Sequence, residues 1–500
     1  MSIMTRVTAD SIELVRATLA DPNSMLKAAG WSQPTGAATL GIQGYDLEVP
    51  AKSLFPVITP LRNKIARRTA GGGAQANWKA FTGINVQNLD AGVSDGNRGG
   101  IVTSSTADYF AAFRQVGLED FVTWGAQLSA GDFIDLRARA QTNLLWALMI
   151  AEEKLDLGGN TSLQLGQPGA PSLAALTTGG ALGATATISV IVAPLSLQGY
   201  FSATVAGGVR GQVTRTNADN STDTYGGGTG RPSANATVVT SAGNTNSVTA
   251  AVAPIAGAFG YAWFWGPAGA EVLGAITTLN STVITANAAG TQLASSLTAD
   301  YSTNGLVYDG LLTQIAKPGS GSYVAIQPTG SAGAGTPLTA DGVGGVVEID
   351  AALQSFWDNY RLSPDCIWVN SQEQRNITKK VLDSGSNGAQ RFMIQVDQGE
   401  VKGGDLVVAY LNKFSMDGAK PLPVKLHPNL PPGTLMFQSD TLPYPLAGID
   451  GVLVKRLRQD YWAQEWPMQS RKYEYGTYFD GVLQCYAPFA LGMITNIGNG

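Results

Sequence analysis

The side chains able to do chemistry are few and far apart. The sequence has a single histidine, His427, set in Val424-Lys425-Leu426-His427-Pro428, so the chain cannot supply a histidine-pair metal site of the HExxH kind. His427 could serve a nucleophilic triad only if Gly92-Val93-Ser94-Asp95-Gly96, which spells GxSxG, were a nucleophile elbow. That strained turn needs an apolar strand before it and a helix after it. The flanks here are rich in glycine, asparagine and aspartate, so the motif reads as a loop. The dipeptide Gly-Lys never occurs, which excludes a Walker A phosphate loop. Gly226-Gly227-Gly228 and Gly342-Val343-Gly344-Gly345 lack the strand and helix of a dinucleotide fingerprint and read as linkers. Asn217, Asp219 and Asp223 are spaced to approach a calcium ion, but no glutamate closes the set, so a plain turn is expected. Glu119-Asp120 and Glu152-Glu153 are the acidic pairs; neighbours on a helix point apart, which makes Glu152 and Glu153 a poor acid–base couple. Cys366 and Cys485 sit in apolar stretches without CxxC partners and read as buried free thiols. With no catalytic constellation, the expectation is a non-enzyme that needs no cofactor and no metal.

Charge points the same way. Across 500 residues, 32 basic and 37 acidic side chains leave a formal net charge of −5, which argues against non-specific nucleic-acid binding by the whole chain. Two basic clusters stand out: Arg62, Lys64, Arg67 and Arg68, then Lys455, Arg456 and Arg458. Their plain reading is a solvated face or salt bridges between subunits. Only 14% of residues are charged, which suggests a surface largely covered by neighbouring copies. No apolar run is long enough to span a bilayer, since Ile188 to Val192 stops at Pro194. The N-terminus lacks the apolar core of a signal peptide, so synthesis in a cytoplasm is expected.

The elements that must position these residues fall into three stretches. Asp10 to Ala29 predicts two short helices, and Gly30 to Gly44 a glycine-rich arm. Ala76-Asn77-Trp78-Lys79-Ala80-Phe81 is a strand pattern after Gly71-Gly72-Gly73; with the glycine-rich run from Gly83 to Gly100 it predicts a long β-hairpin loop. Phe133, Leu136, Ala140, Leu144, Leu148, Ala151 and Leu155 recur at helical spacing, which predicts a spine helix capped by Ser129 or Asp132 and closed by Gly158-Gly159, on the order of 40 Å long. Between Lys154 and Lys317 there is no lysine and little other charge. That segment predicts strands at 186–192, 202–205, 212–215, 248–252, 260–265 and 281–285, hence an inserted all-β sandwich. Beyond Tyr308 the pattern is mixed. A helix carries Ile349, Leu353, Phe356 and Trp357, and Cys366 to Val369 is a strand. A second helix opens at Ser371-Gln372-Glu373-Gln374 in capping-box fashion and closes at Gly385. Short strands follow at 406–411, 424–426, 435–437, 452–457, 473–478 and 482–486.

Val252 to Thr285, through Gly257-Ala258-Phe259-Gly260-Tyr261-Ala262-Trp263 and Gly266-Pro267-Ala268-Gly269-Ala270-Glu271, is similar to the second half of a fibronectin type III or immunoglobulin-like module. The flanks together resemble a tailed-bacteriophage major capsid protein with the fold named after the Hong Kong ninety-seven phage. The resemblance rests on the order of parts: the loop around Trp78-Lys79-Ala80-Phe81, the spine helix to Ala151-Glu152-Glu153-Lys154-Leu155, and the helix–strand–helix through Phe356-Trp357, Cys366-Ile367-Trp368-Val369 and Ser371-Gln372-Glu373-Gln374. It closes with Gly476-Thr477-Tyr478-Phe479-Asp480-Gly481 and Ala487-Pro488-Phe489-Ala490.

The resemblance implies an α+β fold. Its parts would be an N-terminal arm (1–46), an extended loop (47–112), a peripheral domain with the spine helix (113–160), the β-sandwich insertion (161–305), an axial domain (306–446), returning peripheral strands (447–487) and a C-terminal return to the axial domain (488–500). It implies self-assembly as hexamers and pentamers into an icosahedral head shell around packaged double-stranded DNA, read without sequence specificity and with no membrane. A separate scaffolding protein, a portal and a decoration protein would be partners. The shell would be made in the host cytoplasm and end as the virion capsid. Arg62, Lys64, Arg67, Arg68, Trp78 and Lys79 are the inter-subunit contact candidates. Some members join a loop lysine to a neighbour's asparagine; Lys79 sits in the matching loop, and non-covalent assembly is expected. Two other readings stand beside this one: an encapsulin-type bacterial compartment shell, and a surface adhesin or glycan-binding protein suggested by the sandwich alone.

Overall fold

The computed structural model describes residues 52–84, 92–131, 133–217, 219–382, 395–397, 400–402, 407–416, 418, 420–445 and 447–500. The N-terminal arm, the helices expected over 10–29, Asp132 and the helix end expected at Gly385 lie outside them. The chain divides into two compact units, Met1–Phe55 with Gly125–Leu136, and Pro56–Trp124 with Arg137–Gly500. The short helix Trp124–Ser129 gives way to a turn in which the Phe133 and Ile134 N–H groups both donate to the Ala130 carbonyl. Ser129 Oγ donates back to the Gly125 carbonyl at 2.9 Å, so it closes this helix and does not cap the next. The spine helix therefore starts later than its periodicity suggests, at Leu136, and runs 23 residues to Gly158, about 34 Å at 1.5 Å per residue.

The second unit holds the rest. A four-stranded sheet orders Ala66–Thr69, Leu453–Glu465, Lys472–Cys485 and Arg114–Thr123, the first pair parallel and the others antiparallel. Its long strand Lys472–Cys485 is continuous where two strands were expected. Gly476 and Gly481 stay in register with neighbours on both sides, and Asp480 is held by Arg458 Nε at 2.9 Å. Opposite it, Gly117 is required: a Cβ there would stand 1.9 Å from the Tyr478 ring.

A six-stranded mixed sheet orders Tyr323–Ile326, Leu491–Thr495, Leu435–Gln438, Cys366–Val369, Lys420–Leu426 and Ala409–Asn412. Helix Val347–Tyr360 buries Ile349, Ala352, Leu353 and Phe356, and stops where Arg361 turns left-handed at φ 51°. Helix Ser371–Leu382 is capped by Asn370, whose Oδ1 accepts from the Glu373 N–H at 2.9 Å. The cap is thus one residue earlier than the capping-box pattern placed it. One large core joins Leu148 and Leu157 of the spine helix to Leu353, Phe356, Trp368, Phe437, Phe479 and Ile494. Each such side chain, fully buried, contributes about 1.5–3 kcal/mol.

The lysine-free segment builds three antiparallel sheets, the smallest of them the pair Gln212–Thr216 and Thr222–Gly226. Of the larger two, one orders Ser281–Ile284, Ser247–Ala251 and Ser172–Leu176; the other orders Val272–Thr277, Gly260–Gly266, Thr187–Leu195 and Ala236–Val239. Tyr261, Trp263 and Trp265 alternate with Ala262 and Phe264, so the central strand feeds two cores. The first set meets Val248, Ala250 and Ile284 of the facing sheet, and the second meets Leu195, Leu273 and Leu297. Burial on both faces explains the unbroken apolar run Tyr261-Ala262-Trp263-Phe264-Trp265. The strand expected at 202–205 does not form: Ser202 ends the helix Leu197–Ser202, whose cap Ser196 accepts from the Gly199 N–H, and Thr204 makes only a single bridge to Gly208. Strands Ser172–Leu176, Thr222–Gly226, Ala236–Val239 and Val272–Thr277 were not legible.

Candidate functional site

The hairpin that carries Trp78 and Lys79 pairs Gln75–Ile84 with Ser104–Ala112, as a two-stranded sheet on its own. Residues directly opposite share a face. Ala76 with Ala111, Trp78 with Tyr109 and Ala80 with Ala107 make the inner face. Trp78 stacks on Tyr109 at 5.7 Å between ring centroids and meets Tyr486 edge-on at 5.8 Å, which fixes the hairpin base. Asn77 with Phe110, Lys79 with Asp108 and Phe81 with Thr106 make the other face. There Lys79 Nζ lies 3.4 Å from Asp108 Oδ1, with both side chains largely in solvent. The flanking Phe81 and Phe110 are 83% and 70% exposed, and Ile84 and Ile101 are exposed as well. Large aromatic side chains left in water along an arm this long form a surface without a partner among the described residues.

Beneath the hairpin the basic cluster folds inward. Glu152 and Glu153 are fully buried and diverge, as helix geometry requires. Glu152 receives Arg62 Nε at 2.9 Å, Arg67 Nη1 at 2.9 Å, Lys455 Nζ at 3.4 Å and the Tyr461 hydroxyl. Burial pushes the Glu152 carboxyl up, but Lys455, Arg67, Tyr461 and Arg62 outweigh it and leave it below its ordinary value. Asp156 accepts from Lys455 Nζ at 2.5 Å and from the Tyr308 hydroxyl at 2.8 Å; burial dominates there and raises its carboxyl. Glu153 accepts the Leu61 and Arg62 backbone N–H groups at 2.9 and 2.7 Å and faces His427 Nε2 at 2.8 Å. Arg67 also reaches Asp460 at 2.7 Å, Arg68 pairs with Asp450, and Lys64 pairs with Asp440 at 2.8 Å.

Each basic contact candidate thus has a partner in its own chain. Lys455, expected on a solvated face, is 1% exposed. The missed signal was that a helix carrying Glu152, Glu153 and Asp156 on buried turns must import its cations and His427 from distant sequence. Phe81 was legible only as part of a strand and Phe110 not at all, because exposure is not written in residue type.

The remaining candidates stay apart. Ser94 receives Asn97 Nδ2 at 2.6 Å in an exposed turn. Asp223 pairs with Arg215 at 2.7 Å, and Asp219 accepts from the Ser221 N–H and hydroxyl. Among the described residues, no group of three or more His, Cys, Asp or Glu side chains could hold a metal, and no helix is long and apolar enough to cross a membrane. Cys366 and Cys485 are free and buried.

The chain is similar to solved capsid structures. One is the capsid of Myoviridae phage XM1, with TM-score 0.41 and 10% identity over 92% of this chain and 100% of that one. Another is the capsid of the native GTA particle, with TM-score 0.40 and 8% identity over 91% and 96%. A structure from Gordonia phage Cozz also aligns, with TM-score 0.39 and 7% identity over 93% and 97%. The holo-SrpI encapsulin complex from Synechococcus elongatus aligns over 38% of this chain and 57% of that one, with TM-score 0.24. No protein-family model and no curated protein matches the sequence.

Proposed function

We propose that this chain is the non-catalytic building block of a closed protein shell, the major capsid protein of a tailed bacteriophage. The observation that carries the reading is the hairpin. A two-stranded ribbon is at best marginal in water by itself, and this one holds Phe81 and Phe110 out beside the Lys79–Asp108 pair. Such a surface is stable only when covered, and a second copy of the chain is the cover available in every particle. The buried carboxylates of the spine helix hold the hairpin's root through Arg62 and Arg67, so the arm is presented from a rigid base.

In this reading the arm reaches over a neighbouring subunit, with Trp78 and Lys79 at the contact. Arg62, Lys64, Arg67 and Arg68 keep their internal partners and add contacts at the subunit edge. Contacts between copies are non-covalent. Residues 161–305 are an immunoglobulin-like insertion, supported by the core that its two facing sheets share. The rest forms peripheral and axial domains that assemble as hexamers and pentamers around double-stranded DNA. Scaffolding, portal and decoration proteins complete the head.

Electron microscopy of the purified chain, expressed alone and with its scaffolding partner, is the test. Shells or capsomers are expected. A chain that remains monomeric at high concentration in both preparations overturns the reading, and shells that co-purify with cargo enzymes overturn its phage part in favour of an encapsulin-type compartment.

A further inference from the structure

Lys64 closes the short helix Pro60–Lys64, and Cys366 opens the strand Cys366–Val369. Their side chains meet across 302 residues of sequence, with Nζ 2.9 Å from Sγ. The lysine nitrogen is held on three sides: by the sulfur, by Asp440 Oδ1 at 2.8 Å, and by the face of Trp368 at 5.6 Å. Cys366 is 1% exposed, while the Lys64 side chain, at 18%, marks the open side of the pair. An ordinary ion pair needs only Asp440. The same nitrogen also donates to the sulfur, which holds the two reactive atoms side by side.

We propose that Lys64 and Cys366 are an oxidative cross-linking site, at which a single oxygen atom joins Sγ to Nζ. Hydrogen peroxide is the oxidant. In the first step the sulfur, which burial keeps as a thiol, attacks one peroxide: the O–O bond breaks, an S–O bond forms, the thiol proton leaves with the departing hydroxide, and the products are a sulfenic acid and one water. The sulfur has lost two electrons. Asp440 takes the third proton of the Lys64 ammonium and passes it to solvent. In the second step another peroxide accepts two electrons while the sulfenic oxygen bonds to nitrogen. One O–H and one N–H are lost, and two waters leave. The net change is a gain of one oxygen and a loss of two hydrogens from the neutral side chains. Excess dithiol returns both side chains, releasing the oxygen as water. The link ties the root of the exposed hairpin to the centre of the six-stranded sheet, and it does not depend on shell assembly.

The experiment is intact-mass and peptide mapping of the full chain before and after peroxide, with Cys485 as internal control; its thiol lies against the backbone of Ala487. The expected result is a mass increase of one oxygen less two hydrogens and a peptide pair linking Lys64 to Cys366. Dithiothreitol should reverse it, and the unfolding temperature should be higher in the oxidised form. In Lys64→Arg the linked pair should vanish while Cys366 still reacts with a sulfenic-acid probe. Asp440→Asn should slow linkage without slowing sulfenic-acid formation. Cys366 oxidised without linkage, linkage to Lys425 (also over the Trp368 ring at 5.6 Å), or a Cys366 inert to peroxide would each overturn the proposal.

Discussion

Asn280 and Asn496 hold one another across 216 residues of sequence. Asn496 Oδ1 accepts the Asn280 backbone N–H at 3.0 Å, and Asn496 Nδ2 donates to Asn280 Oδ1 at 3.0 Å. Asn280 also donates to the Val252 carbonyl at 2.6 Å and to Thr329 Oγ1 at 2.8 Å, while Asn496 donates to the Gln327 carbonyl at 2.7 Å. Both are buried, and Asn496 adopts φ 62°, a conformation asparagine accepts more readily than most residues. This amide pair pins the start of the strand Ser281–Ile284, within the lysine-free segment, to the end of the strand Leu491–Thr495 of the six-stranded sheet.

Asn496→Ala removes three hydrogen bonds, leaves the Asn280 N–H unpaired and puts an alanine in a left-handed backbone. A loss of about 2–4 kcal/mol is expected, read as a lower midpoint in calorimetric unfolding. Asn496→Gly relieves the backbone strain and should lose less. Equal losses in the two variants would assign the cost to the amide alone.

Glu153 gathers two backbone N–H groups and His427 without exposure to water. Glu153→Ala orphans all three and should destabilise by about 3–5 kcal/mol. His427→Ala should cost less, because the carboxylate keeps the Leu61 and Arg62 donors. In denaturant titration the double variant is expected to fall well short of the sum of the two singles.

Glu373 is buried among Gln372, Asn376 and the Gly433 N–H, and burial raises its carboxyl above the ordinary value. A raised carboxyl contributes stability that is complete below the unfolded value, about 4.3, and is lost as pH rises through the folded value. Glu373→Gln removes that loss. The variant should be at least as stable as the parent at neutral pH, with the gap closing as pH is lowered toward 4. A gap that is independent of pH would contradict the assignment.

Phe81→Ser with Phe110→Ser alters only exposed positions on the outer face of the hairpin. Monomer stability should change by less than about 1 kcal/mol. Sedimentation velocity should show assembly falling sharply or failing. Normal shells from this variant would remove the hairpin from the assembly interface.

The sequence by itself determined the elements whose cause is local. The 3.6-residue period of Ala140, Leu144 and Leu148 gave the spine helix, the glycine-flanked strand pattern at Trp78 gave the hairpin, and the composition break around Lys154 and Lys317 gave a separate β segment. Their margins were not local. The spine helix begins at Leu136 because the preceding turn uses the Ala130 carbonyl, and the strand Lys472–Cys485 crosses two glycines because sheet neighbours hold it on both sides. The charge cluster could be decided only by the tertiary structure. Arg62, Lys455 and His427 are ordinary surface types by composition, and burial beside Glu152, Asp156 and Glu153 depends on pairing across 90, 299 and 274 residues. Exposure of Phe81 and Phe110 is decided the same way, since an apolar side chain carries no mark of which face of a sheet will be covered.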